Sequence, residues 1–195
     1  MFHRIFVFTF IASLFLFQGA YSAEKYSVDP VHSRITFSVR HMMLSNVSGE
    51  FKTYSGAITH DAKDATKLTA SGVIKVASLD TGNADRDKHL RGTEFFDADK
   101  YPEIVFQGKQ VKKSGKDYVM IGTLTMHGVS KDVKIPFQIM GKVKDPWGKE
   151  RLGLQARLTI NRRDFGIAFN KTLDNGGLMV GNEVTIDLNV EGVKD

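Results

Sequence analysis

The sequence predicts an all-β fold: an eight-stranded antiparallel barrel with one short helical insertion. Three observations carry this. Apolar and polar residues alternate with a period of two along most of the chain, which sets one face against an apolar interior and the other in water. Short turn sequences separate the alternating segments, which favours antiparallel neighbours in a meander. Glycines fall on the apolar side of several segments, which demands strong curvature and favours a barrel over a flat sandwich.

The chain opens differently. His3 and Arg4 precede a thirteen-residue run, Ile5 to Phe17, that is nearly all apolar, and Ala20-Tyr21-Ser22-Ala23 supplies small residues. This is the layout of a secretory signal peptide, too short to span a bilayer comfortably. Cleavage after Ser22 fits the small-x-small rule through Ala20, with Ala23 as the alternative last residue. The expectation is a signal peptide at 1–22 and a single domain at 23–195, with no transmembrane segment in the mature chain.

In the mature chain Ile35, Phe37 and Val39 alternate with Thr36, Ser38 and Arg40, and Val184, Ile186, Leu188 and Val190 alternate with Thr185, Asp187, Asn189 and Glu191. Segments near 47–60, 67–78, 103–112, 117–127, 131–143 and 151–161 read as the other six strands. Lys113-Ser114-Gly115-Lys116 is a tight hairpin signal, and His127–Ser130 and Asp145–Gly148 read as slightly longer turns. A turn of helix is expected near Met42 to Leu44. Capping candidates at Asp80 to Asn83 precede Ala84 to Arg91, which can form two helical turns that Gly92 ends. Residues 164–182, with Gly166, Gly176, Gly177 and Gly181, read as a long mobile connection.

By parity, Gly72, Gly108, Gly122 and Gly141 all face the apolar side. Each costs about 0.5–1 kcal/mol relative to alanine. Two explanations stand: bending at barrel corners, or an interior left open. Eight strands is the size at which side chains fill a barrel or one ligand does.

Composition narrows the function. The chain has 195 residues, no cysteine, and 27 basic residues interleaved with 22 acidic ones. Disulfide scaffolds and thiol catalysis are excluded. A net charge of +5 without a basic face gives no case for nucleic acid. No histidine pair has metal spacing, no Gly-x-Ser-x-Gly elbow occurs, and Asp164-Phe165-Gly166 matches the kinase triplet in letters only. No metal, cofactor or catalytic residue is expected. His41 shares the inward parity of Val39 and could meet a polar head at a lumen entrance. Asp85-Arg86-Asp87-Lys88-His89-Leu90-Arg91 reads first as a solvated helix face anchored by Leu90, with an Asp87–Arg91 pair one turn apart, and second as a docking patch. Met42, Met43, Met120, Met126, Met140 and Met179 of the mature chain suit irregular apolar shapes. Unbanded aromatics and the charged helix argue against an outer-membrane barrel.

Several runs together resemble the YceI family of exported lipid-binding proteins. They are Tyr26–Ser33 leading into Ile35–His41, Asp85–Arg91 followed by Phe95-Phe96 and Lys100-Tyr101-Pro102, Leu124–Lys131, and Asn161–Gly166. The resemblance implies a lipocalin-like barrel whose lumen holds a long polyisoprenoid, an isoprenoid quinone or a similar amphiphilic lipid. It also implies a bacterial periplasmic location and, in some members, a homodimer.

The leading expectation is a non-enzymatic carrier, store or scavenger. Strand parity assigns its lining to Phe37, Val39 and His41, then Phe51, Ile74 and Phe106, then Met120, Leu124 and Met126. Phe137, Ile139, Leu154, Leu158, Ile186 and Leu188 complete it. The rivals are an enzyme acting on a lipid or quinone head through His41 or His127, and an interaction protein with a filled barrel.

Overall fold

A computed structural model describes residues 23–174 and 176–195; the expected signal peptide at 1–22 lies outside the described residues. The strands are β1 (Glu24–Val28), β2 (Arg34–His41), β3 (Ser45–Phe51), β4 (Tyr54–His60), β5 (Thr69–Lys75) and β6 (Leu79–Asp80). Helix α1 (Ala84–Arg91) follows, then β7 (Glu103–Ser114), β8 (Asp117–Met126), β9 (Val129–Lys144), β10 (Glu150–Asn161) and β11 (Val180–Lys194).

These segments make eight staves. Strands β1 and β2 both pair antiparallel with β11, so they form one stave interrupted at 29–33. In the same way β3 and β4 form a second stave against it, and β5 and β6 a third. Strands β7 to β11 follow as a meander, and β11 returns to β1 and β2, closing the barrel. Closure through β1 and β11 leaves only a short edge, at β6 and the adjoining part of β3.

The interruptions have local causes. Pro30 brings no N–H to a ladder, and the Asp29 carboxylate accepts the Val31 N–H instead. A 3₁₀ turn at Val76–Ser78 offsets β5 from β6. The break at 52–53 shifts parity along the segment that alternation read as one strand. Alternation also missed β1, which is short and mixed.

Helix α1 occupies the predicted residues, with the Asn83 side chain accepting the Arg86 N–H at 2.9 Å. Three other expectations are corrected. Residues 42–44 form a turn, not helix: Met42 and Met43 both have positive φ, and the Leu44 N–H reaches the His41 carbonyl. His127-Gly128 is a two-residue turn, both residues left-handed, tighter than expected. The 164–182 segment is packed in part: Phe165 and Ile167 are buried, and Thr172 bridges to Leu178.

The four glycines divide. Gly72 faces inward with almost open space above it. Gly108 borders a bulge between β7 and β8, where a Cβ would press on the Ala70 carbonyl. Gly122 sits beneath the Phe106 ring. Gly141 is exposed, because a register shift opposite Gly153 and Leu154 reverses the parity assumed for it. Bending and open volume are therefore both present, at different glycines.

Candidate functional site: an apolar lumen

The barrel encloses a cavity of about 680 Å³, within the range of small-molecule sites. Its wall is almost wholly apolar. The inward residues of the mid-barrel, among them Phe37, Leu154, Ala156, Ile186 and Leu188, are only half-buried because they face this space. At the end where the chain termini of the domain lie, Tyr26 and Leu152 are each 0% exposed, with Ile58 and Leu68 beside them. That end is plugged, and the mid-barrel is hollow.

Most of the parity-derived lining faces the cavity. Phe37, Val39, His41, Phe51, Ile74, Phe106, Met120, Leu124, Met126, Phe137, Leu154, Leu158, Ile186 and Leu188 all border it. Ile139 does not; it packs against the core next to the β9 bulge. Parity alone could also have supplied Ile35, Val184 and Val190. It could not have supplied Phe95, Phe96 or Phe169, which reach the lumen from irregular segments.

The opposite end is the mouth. Here the lining includes His41, Val47, Asp85, Arg86, His89, Met179 and Val180. Helix α1 and the 162–180 segment meet over it: the Phe95 and Phe169 rings are 4.9 Å apart, and each lies 5.0 Å from the His89 ring.

The charged helix is only in part the solvated face that its sequence suggested: Ala84, Asp85, Lys88 and His89 are exposed. Asp87 is buried, and its carboxylate accepts both the N–H and the hydroxyl of Thr81, at 2.9 and 2.6 Å. Arg91 donates to the carbonyls of Ala77 and Leu79 rather than to Asp87. Arg86 donates to the Thr81 hydroxyl and carbonyl. These bonds clamp α1 to the 3₁₀ turn and to β6.

Arg162 plays the same part on the other side of the mouth. Its buried guanidinium donates to the carbonyls of Gly181 (2.9 Å), Ile167 (2.8 Å) and Val180 (3.3 Å). Burial, and then the neighbouring Arg163 charge, pull its pKa down. A guanidinium still remains charged at any ordinary pH.

The histidines are dispersed. His127 donates from Nδ1 to the Phe165 carbonyl at 3.1 Å and stacks edge-on against Tyr101, away from the lumen. His89 pairs with Glu94, and His32 with Asp29. His60 Nδ1 is buried without a hydrogen-bond partner among the described residues. Among the described residues, Asp29, His32 and Glu191 form a group of metal-ligating types on the outer wall. The Arg151 guanidinium already bonds Asp29, Glu191 and Asp145 there, so the carboxylates are matched within the protein.

A family profile described as the YceI-like domain matches residues 26–192. A UPF0312 protein of Serratia proteamaculans (strain 568) is 37% identical over 184 residues, covering 93% of each chain. The crystal structure of Burkholderia cenocepacia BcnA superposes with a TM-score of 0.74 at 25% identity, over 84% of this chain and 98% of that one. A domain from Saccharophagus degradans, described as polyisoprenoid-binding and implicated in plant cell wall breakdown, superposes with a TM-score of 0.61 at 20% identity. It covers 87% of this chain and 98% of its own, and at that identity the likeness concerns the fold.

Proposed function

The chain belongs to the YceI-like family, and from that premise we propose that it is an exported, periplasmic, non-enzymatic protein that holds a long polyisoprenoid or similar amphiphile in its lumen as carrier, store or scavenger. The observation that carries the reading is the apolar cavity of about 680 Å³, hollow at mid-barrel and plugged at one end. Each methylene moved there from water gains about 0.8 kcal/mol. An extended chain therefore binds usefully even after its ordering cost, with no polar motif needed along the wall. The polyisoprenoid-binding description of the Saccharophagus degradans neighbour supports the ligand class.

The polar groups at the mouth suit the head of an amphiphile. His41 and Arg86 border the cavity where such a head would emerge. His127, by contrast, is turned away and engaged with a backbone carbonyl, which weakens the enzyme reading built on it. A filled barrel does not fit the cavity.

Native mass spectrometry of gently purified protein tests the proposal. Excess mass that extracts into organic solvent as a prenyl lipid is the expected result. Bare protein under several mild purifications would count against it.

A further inference from the structure

The turn between β2 and β3 is built from unlikely residues. Met42 and Met43 hold φ values of 50° and 63°, a left-handed pairing normally given to Asn and Gly because a Cβ strains it. Little burial is gained in return: Met42 is 38% exposed, Met43 62% and Leu44 beside them 79%. A small polar pair would relieve the strain and the exposure together. The fold instead presents three large apolar residues in a row at a hairpin tip.

The position of that tip gives it meaning. The Met42 N–H donates to the Met179 carbonyl at 2.8 Å, and Met179 and His41 border the lumen mouth. The tip therefore stands on the rim through which any lumen ligand passes. Its neighbours are basic. Among the described residues, Arg40 has only the Asn46 amide oxygen as a side-chain partner, at 3.3 Å. Lys171, whose carbonyl accepts the Met179 N–H, has no carboxylate partner among the described residues. The one acid of the adjoining 170–182 loop, Asp174, lies at the far end of the small 172–178 hairpin.

We propose that Met42-Met43-Leu44 is a membrane-docking tip that inserts into the surface of a bilayer carrying anionic headgroups. Arg40 and Lys171 meet the phosphates, and the mouth is brought against lipid. The inference rests on the lumen reading above, since it supplies a water-free path between bilayer and cavity. Methionine and leucine enter the headgroup boundary while the flanking cations stay at its surface.

The test uses a variant that should fold better than the wild type. The full chain is expressed, and the recovered protein is floated with vesicles of phosphatidylcholine alone or mixed with phosphatidylglycerol. The double substitution Met42→Asn, Met43→Gly should raise Tm by relieving the turn, yet lower vesicle binding about ten-fold or more. Leu44→Glu should lower binding similarly. Wild-type protein should prefer the anionic vesicles, and that preference should weaken with salt.

Polyprenol binding without vesicles should be the same in all three proteins. Failure of that binding in every protein would remove the lumen reading, while the flotation result would still judge the tip. Equal flotation of wild type and variants, or none by the wild type, would overturn the proposal. So would wild-type self-association that the double substitution abolishes, because the tip would then be a contact between copies.

Discussion

The Phe106 ring lies over Gly122, its diagonal neighbour across the β7–β8 ladder: a Cβ on Gly122 would stand 2.5 Å from the tip of the ring. The glycine admits the aromatic, and the aromatic forms lumen wall. Gly122→Ala should therefore cost about 1–3 kcal/mol through overpacking. Gly72 differs, since its nearest obstacle is the Ser55 carbonyl at 3.5 Å. Gly72→Ala should be neutral or stabilise by up to about 1 kcal/mol. Urea unfolding of the two variants side by side checks the contrast, and equal effects would refute the distinction between a glycine that admits a ring and one that leaves open space.

Arg162 holds the segment that returns over the mouth. Arg162→Met should strand the carbonyls of Gly181, Ile167 and Val180. A stranded buried acceptor costs roughly 1–3 kcal/mol, so a loss of about 3 kcal/mol is expected. Hydrogen exchange should quicken at 167–181 and remain slow in β7 and β8. Uniform quickening would mean that the guanidinium supports the whole barrel instead.

Acid sensitivity should trace to two carboxylates. The Lys194 and Lys142 ammonium groups, with the Tyr26 hydroxyl, hold the Glu24 carboxyl down at about 2. His32, with Arg151 and the Val31 N–H, holds the Asp29 carboxyl at about 2. A carboxylate depressed on folding adds stability above its unfolded pKa and loses it as pH falls toward the folded value. Stability should therefore drop between about pH 4.5 and 2. In Glu24→Gln and Asp29→Asn the drop should be shallower, as Tm measured across that range will show.

Alkali acts through Tyr26. Burial pushes its phenol up to about 12, and the Glu24 carboxylate that its hydroxyl bonds adds to the shift. A raised acid of this kind stabilises the fold below its unfolded pKa and loses that contribution as pH climbs from about 10 to 12. Tyr26→Phe should remove this decline while leaving the apolar plug in place. An unchanged alkaline slope would place its origin elsewhere.

The barrel was legible because period two survives wherever one face meets apolar volume. Val184 to Val190 and Phe37 to Val39 announced both face and inwardness. The same rule failed at Gly141, where a bulge reverses parity; Ile139 beside it does face inward, but into packed core and not the cavity. It was silent for Phe95 and Phe169, which reach the lumen from irregular backbone. The Asp85–Arg91 run looked like a solvated helix because its charges resemble exposed ion pairs. Only the fold shows Asp87 and Arg91 turned toward Thr81 and the carbonyls of Ala77 and Leu79. The turn at Met42-Met43 broke the preferences for such turns, so propensity pointed to helix.

The hollow mid-barrel is most directly tested by filling it. Ala156 borders the cavity from β10, so Ala156→Phe adds a ring to free space rather than to packed core. The probe is a radiolabelled polyprenol bound to delipidated protein, because Trp147, the one tryptophan, is 83% exposed on an outer turn and away from the lumen. Wild type should bind at least about ten-fold more tightly than Ala156→Phe, the equivalent of about two buried methylenes, with both proteins equally folded. Equal affinity in the two proteins would contradict a ligand held inside the barrel.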